Sequence, residues 1–199
     1  MAIAEKSKVR NIAIRPGEYH VSNQRVVIST LLGSCISACL YDPLNRIVGM
    51  NHFLLGNRRY SKDMPACITE AGRYGIQAME LVINGMFRLG ADRKKLKAKV
   101  FGGGSFFRAP GEPDNFSCVG EVNNRFIVEF LKNDGIPVVA CDLGGDRARR
   151  IRFSSDDFSV LVKKTRTTGS APLLKAEKQF WKNSIEVHEQ DGTEPDLWI

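Results

Sequence analysis

The chain has 199 residues, 43% of them apolar and 26% charged, which excludes wholesale disorder and a collagen-like repeat and suits a single domain that buries its own core. Its net charge of +7 is uneven: residues 165–199 hold 4 basic and 6 acidic side chains, so the body carries the basic excess. No stretch of about 18 apolar residues offers a transmembrane helix, and the charged N-terminus, Met1 to Arg10, has no apolar centre and does not read as a secretory signal.

Residues 1–10 read as a flexible N-terminal arm. Asn11–Ile14 is a short strand candidate and Arg25–Ser29 a better one. Ile36–Tyr41 reads as a third strand, stopped by Asp42-Pro43, because proline fixes its own φ and disfavours helix before it. Arg46–Leu55 is apolar and long enough for a buried strand, and the intervening Asp42-Pro43-Leu44-Asn45 makes the two runs a hairpin. Residues 57–72 are mixed and polar, a surface loop leading into a helix. From about 66 to 89, Ala71, Tyr74, Ala78, Leu81, Val82 and Met86 recur at helical spacing, and Gly90 ends the pattern. Leu96–Phe101 is a strand followed by Gly102-Gly-Gly-Ser105. A second helix over 119–133 gathers Val122, Phe126, Ile127, Phe130 and Leu131 on one face, with Gly135 after it. Ile136–Cys141, Ile151–Phe153 and Phe158–Lys164 complete the strands, the last two around the turn Ser154-Ser-Asp-Asp157.

Strands at both ends with two helices between predict an α+β fold: one layered domain with a mixed, largely antiparallel β-sheet and two main helices. That domain runs over 11–164, and 165–199 is a C-terminal extension of unknown order in which the periodicity fades.

The five cysteines, at 35, 39, 67, 118 and 141, form no CxxC and no dense framework, which predicts free thiols in a reducing cytoplasm. His20, His52 and His188 lie far apart in sequence and none pairs with a cysteine at zinc-ligand spacing, so no metal is expected. The most informative stretch is Ser29-Thr-Leu-Leu-Gly-Ser-Cys35, a cysteine after Gly-Ser at the junction of two predicted strands. Small residues there let backbone N–H groups approach a sulfur and a bound carbonyl, and such donors stabilise an oxyanion. His52 lies in the next strand, where the hairpin brings it beside Cys35. A histidine so placed takes the thiol proton and later protonates a leaving amine. Thr30 and Ser29 are both candidates for a third, orienting hydroxyl. Core filler is the alternative reading for each of these residues.

Cys39 shares a strand face with Cys35 and reads as core filler, while Cys67, Cys118 and Cys141 have no histidine near them in sequence and read as small hydrophobes. His20 and His188 read as surface residues. The glycines of Phe101-Gly-Gly-Gly-Ser-Phe-Phe107 lack the Gly-Lys-Ser/Thr ending of a phosphate loop and read as a tight turn admitting a substrate backbone. Arg147, Arg149 and Arg150, leaving a second glycine turn, suit an acidic partner or a solvated turn. The basic body is not matched by any nucleic-acid motif or aromatic-basic repeat, so no nucleic acid is expected.

Four stretches together resemble the CheD family of chemoreceptor glutamine deamidases over residues 10 to 164. They are Thr30-Leu-Leu-Gly-Ser-Cys35 with Cys39-Leu-Tyr-Asp-Pro43, Gly49-Met-Asn-His52, Leu96-Lys-Ala-Lys-Val-Phe-Gly-Gly103, and Asp142-Leu-Gly-Gly-Asp-Arg-Ala-Arg149. The resemblance implies a cytoplasmic cysteine hydrolase with a fold similar to the catalytic domain of cytotoxic necrotizing factor toxins. It implies hydrolysis of glutamine side chains on methyl-accepting chemotaxis receptors, with no cofactor, and a CheC-type phosphatase as a further partner. Carried over by position, Cys35 is the nucleophile, His52 the general base and acid, and Thr30, or Ser29 in another alignment, the third residue. A binding module for receptors or a CheC-type phosphatase, with little turnover, is the alternative. The chain departs from the family pattern at Leu54-Leu55-Gly56, in the length of 57–72 and at Val122, and the stretch past 165 has no support in the resemblance.

Overall fold

The computed structural model describes residues 8–55, 70–105 and 119–165, together with Glu177 and Gln179. The hairpin at its centre starts from Asp42, whose carboxylate accepts the backbone N–H groups of Leu44 at 2.9 Å and Asn45 at 3.1 Å and of Asp92 at 2.8 Å. This side-chain turn reverses the chain between β4 (Ile36–Asp42) and β5 (Ile47–Asn51), which pair antiparallel with Tyr41 opposite Val48 and Cys39 opposite Met50. The predicted hairpin is therefore present, with β5 ending at Asn51 and an isolated bridge joining Ile36 to Phe53 beyond it.

Nine strands are described, in two sheets. The first has the order β1 (Arg10–Ala13), β3 (Val26–Leu32), β8 (Ala148–Ser154), β9 (Val160–Thr165). The second has the order β2 (Tyr19–Ser22), β5, β4, β6 (Lys97–Gly102), β7 (Val138–Leu143). Only β1 with β3 and β6 with β7 pair parallel among the described ladders. The α+β class and the mixed, largely antiparallel pairing hold, with the strands divided between two sheets rather than gathered in one. Strand β2 was not foreseen: four residues of mixed polarity at a sheet edge carry almost no periodic signal. Strand β1 begins at Arg10, one position inside the expected N-terminal arm.

Strand alternation explains the layers. Along β4 every residue is buried. Ile36, Ala38 and Leu40 face a core shared with the helices, while Cys39 and Tyr41 face a second core lined by Ile28, Leu32, Ile151 and Phe153 of the first sheet. The second sheet is thus the middle layer, with the first sheet on one face and both helices on the other.

Helix α1 (Glu70–Arg88) rests on β5 and β2 and presents Met79, Val82, Ile83 and Met86 to the core. The expected face included Leu81, which is instead 44% exposed. The buried set follows the i, i+3, i+4, i+7 stripe that begins at Met79. Positions 66–69 of the expected helix and the 57–69 loop lie outside the described residues. Helix α2 (Val119–Asn133) lies against β4 and β6, burying Val122, Phe126, Ile127 and Leu131 as expected, with Phe126 edge-on to Phe53 at 5.8 Å. Gly90 and Gly135 close the two helices, and just beyond them Ala91 and Ile136 donate back to Met86 and Leu131. A single 3₁₀ turn, Arg93–Lys95, leads into β6.

Candidate active site

Val26, Ile28, Thr30 and Leu32 are all buried on the inner face of β3, so Thr30 is the one polar member of an apolar row. On the opposing sheet, Val48 and Met50 point into the same core, and His52 follows in phase. The two polar residues meet across the gap: Thr30 Oγ1 lies 2.8 Å from His52 Nδ1. Thr30 also donates its hydroxyl hydrogen to the Ile14 carbonyl at 2.8 Å. That hydrogen is its only one, so the hydroxyl accepts from His52 Nδ1–H, and this assigns the proton of the neutral imidazole to Nδ1. Nε2 is left as the basic nitrogen, buried and without a hydrogen-bond partner among the described residues.

Cys35 sits where the chain crosses from β3 in one sheet to β4 in the other. The register that bridges Ile36 to Phe53 puts Ser37 opposite His52 and Cys35 one diagonal step away on the same face. Cys35 Sγ, a ring nitrogen of His52 and a carboxylate oxygen of Glu177 lie within 4.8 Å of one another, and all three residues are buried. A thiol, an imidazole and a carboxylate also make a donor set that suits a transition-metal ion, which the distances along the sequence did not suggest.

Glu177 brings a third group to the crossing. Its Oε1 accepts from Gly33 N–H at 2.8 Å, and its Oε2 accepts from Ser34 N–H at 3.0 Å and from the Ser34 hydroxyl at 2.8 Å. The crossing therefore presents two backbone donors and a hydroxyl to one carboxylate, next to the thiol.

Two supports hold this crossing in place. Asn123, buried on α2, donates to the Ser34 carbonyl at 2.8 Å and accepts from Leu55 N–H at 2.7 Å, tying both strand ends to the helix. The glycine loop after β6 supplies the other: Gly103 N–H donates to the Cys35 carbonyl and Gly104 N–H to the Gly33 carbonyl, each at 2.8 Å. Gly102 has φ +121°, and a Cβ there would stand 2.0 Å from the Cys35 carbonyl oxygen, so no other residue fits. The loop is in turn held by the next glycine turn, with Gly144 N–H donating to Gly102 and Ser105 N–H to Gly145. Arg149, only 1% exposed, fastens that turn through Asp142 Oδ1 at 3.0 Å and the carbonyls of Asp142 and Gly144.

Burial sets the electrostatics. It raises the Cys35 thiol well above its ordinary value, and the nearby Glu177 carboxylate raises it further. Burial lowers His52 to about 3. The pair as it stands is a neutral thiol beside a neutral imidazole, rather than the thiolate–imidazolium pair that an open site favours.

Several sequence expectations change here. Ser29 points away from His52, its hydroxyl 3.3 Å from the Ile12 carbonyl, so of the two candidate hydroxyls only Thr30 reaches the imidazole. The Gly102–Ser105 loop closes on the protein's own backbone at Cys35. Arg149 is a buried strut and is not available to an acidic partner, whereas Arg147 and Arg150 are exposed. Cys39 is core filler, its thiol pushed up to about 12 by burial. Cys141 is exposed on β7. His20 is half-buried on β2, its pKa lowered by burial and by Arg10. Cys67, Cys118 and His188 lie outside the described residues. Sequence reading missed Glu177, Asn123 and the role of Arg149. Asn123 alone left a signal, as a polar residue in phase with the apolar face of α2.

The family model described as "CheD chemotactic sensory transduction" matches residues 56–164, a span that follows Thr30, Cys35 and His52 in the chain. Full-length relatives cover those residues. A Geobacter sulfurreducens protein named "Probable chemoreceptor glutamine deamidase CheD 1" is 52% identical over 188 residues, 94% of this chain and 94% of that protein. A match of that extent leaves too few residues outside it to stop short of Glu177, so the matched span runs past 165. A Shewanella oneidensis protein of the same name is 40% identical over 88% of this chain and 81% of its own length. The likeness to solved structures is slight: Bacillus licheniformis hypothetical protein YfiH overlaps 62% of this chain and 49% of its own at 15% identity, with a TM-score of 0.37. On the family model and on the identity and coverage of these relatives, the chain belongs to the CheD family.

Proposed function

We propose that this chain hydrolyses glutamine side chains to glutamate on methyl-accepting chemotaxis receptors, with residues 11–164 as the catalytic unit and Cys35, His52 and Thr30 as its catalytic and orienting residues. The observation that carries this reading is the Nε2 of His52, without a partner among the described residues and fixed as a base by Thr30, in the same buried cluster as the Cys35 thiol. The names of the relatives, chemoreceptor glutamine deamidases, support the substrate.

The reaction follows from these groups. As Cys35 Sγ attacks the side-chain carbonyl of glutamine, His52 Nε2 takes its proton, so no isolated thiolate need form in the buried site. The carbonyl oxygen, becoming negative, is held by the N–H groups of Gly33 and Ser34, which already hold a carboxylate at 2.8 and 3.0 Å. His52 returns its proton to the departing ammonia, leaving a glutamyl thioester on Cys35. Water, deprotonated by His52, cleaves the thioester to glutamate and restores the thiol. Thr30 keeps the imidazole in the tautomer that every step uses. The product is an anion where a neutral amide stood, which changes the receptor's charge and supplies a carboxylate for methylation. Such an enzyme acts in the cytoplasm, on the cytoplasmic part of its receptor; no helix among the described residues is long and apolar enough to cross a membrane.

The test is ammonia release from a receptor cytoplasmic fragment. The reading expects stoichiometric release with the intact chain and none with Cys35→Ala. Release that survives Cys35→Ala, or none with either protein, overturns it.

A further inference from the structure

Cys35 is wholly buried, yet a nucleophile must meet its substrate. The group packed against it comes from a part of the sequence far removed from the strands of the site. Glu177 lies 144 residues after Gly33, and its side chain is fully enclosed. Its carboxylate takes both backbone donors of the crossing and the Ser34 hydroxyl, all three of them uncharged. A carboxylate held in a buried place by neutral N–H and O–H donors is the arrangement that stabilises an oxyanion, and burial without those donors would strongly disfavour the charge.

We propose that Glu177 is an intramolecular product mimic: its carboxylate occupies the position of the glutamate that deamidation leaves, and it must withdraw before a substrate glutamine can enter. This inference rests on the deamidase reading above and adds its regulation. The chemistry of the residue is the first argument, since glutamate is what hydrolysis of glutamine yields. Gly33 is the second. A Cβ at this position would stand 2.7 and 2.8 Å from the two Glu177 oxygens, so the carboxylate closes on the backbone only because position 33 is glycine. Glu177 and Gln179 are both helical, so the site receives this side chain from a helix.

Tethering gives the segment an advantage over any free competitor, because an intramolecular ligand acts at an effective concentration in roughly the millimolar range. The isolated protein is then a restrained enzyme, and a receptor or other partner that draws Glu177 away activates it. The burial that raises Cys35 and the Glu177 carboxylate that raises it further are relieved together when the segment leaves.

Two variants test the proposal. In Glu177→Gln the mimic of product becomes a mimic of substrate. Cys35 attacks the carbon of the introduced amide, the C–N bond breaks as ammonia leaves with a proton from His52, and water then breaks the C–S bond of the thioester to restore Glu177 and the free thiol. Peptide mass spectrometry is expected to find glutamate at position 177 of the purified variant, and glutamine there when Cys35→Ala is combined with it. In Glu177→Ala the Cys35 peptide is expected to be alkylated by iodoacetamide about tenfold faster or more than in the natural chain, with thermal melting confirming the fold. An introduced glutamine that persists with Cys35 intact overturns the mimic, and this readout stands even where the alanine variant does not fold. Equal alkylation rates in a folded Glu177→Ala overturn the restraint. A receptor fragment incubated in parallel with the natural chain and with Glu177→Ala separates the two readings. If the receptor's glutamines are converted while the amide introduced by Glu177→Gln is not, the mimic falls and the deamidase stands. If that introduced amide is converted and the receptor is not, the mimic stands and the receptor substrate falls.

Discussion

Thr30 and His52 sit on opposite sides of the inter-sheet core, and a single hydrogen bond of 2.8 Å joins them across it. Because the Thr30 hydroxyl spends its hydrogen on Ile14, the bond has one direction only, and the imidazole presents a bare Nε2. Replacing Thr30 by valine keeps shape and removes the acceptor. The expected result is a fall in kcat of roughly tenfold or more with KM little changed, and recovery with Thr30→Ser. A valine variant with full kcat would show that the imidazole needs no such partner.

Gly102 connects the glycine loop to the nucleophile. Its φ of +121° and the 2.0 Å approach of any Cβ to the Cys35 carbonyl leave no room for a side chain. Gly102→Ala is expected to cost more than about 1 kcal/mol by denaturant unfolding and to reduce activity beyond the loss of folded protein, because the Cys35 backbone is what must move. Unchanged stability would mean that the loop bends elsewhere.

Arg149 acts two steps from the thiol, through the Asp142–Gly145 turn and the Gly102–Ser105 loop. Arg149→Met is expected to destabilise the chain by about 3 kcal/mol, since the carbonyls of Asp142 and Gly144 lose their buried donor. Urea unfolding measures it, and a loss below about 0.5 kcal/mol would place the burden on other contacts.

The pH dependence of stability reports on His52. Its folded pKa of about 3 lies below the ordinary 6.5, so the native state keeps it neutral where the unfolded chain binds a proton. The stability this contributes is fully present above pH 6.5 and is lost as pH falls from there toward 3. His20, also lowered by burial, adds to the same fall. Comparing the natural chain with His52→Gln over this range by thermal melting is expected to show a shallower acid decline in the variant. Parallel curves would mean that His52 is not buried neutral.

The elements legible in the sequence were those with a local cause. Asp42-Pro43 marked the hairpin, and with it the neighbourhood of Cys35 and His52. The helical spacing of Val122, Phe126, Ile127 and Leu131 marked α2 to its ends. Thr30 was separable from Ser29 on period alone, since it falls in phase with Val26, Ile28 and Leu32, although family alignment left the choice open. What stayed hidden had non-local causes. The parallel pairing of β1 with β3 and the split into two sheets follow from packing between segments far apart in sequence. Glu177 stands between Leu173-Leu174 and Phe180-Trp181 in the C-terminal extension, and nothing near it in sequence marks a partner at Gly33. Arg149 looked like one of several surface charges until the turn it fastens was seen to close around it.

The central claim is that Cys35 is the nucleophile that converts glutamine to glutamate. The most direct measurement is peptide mass mapping of a chemoreceptor cytoplasmic fragment after incubation with the natural chain, Cys35→Ala or His52→Ala. The expected result is Gln-to-Glu conversion at defined positions with the natural chain and none with either variant. Conversion that persists in Cys35→Ala, or a fragment left unchanged by all three proteins, would contradict it.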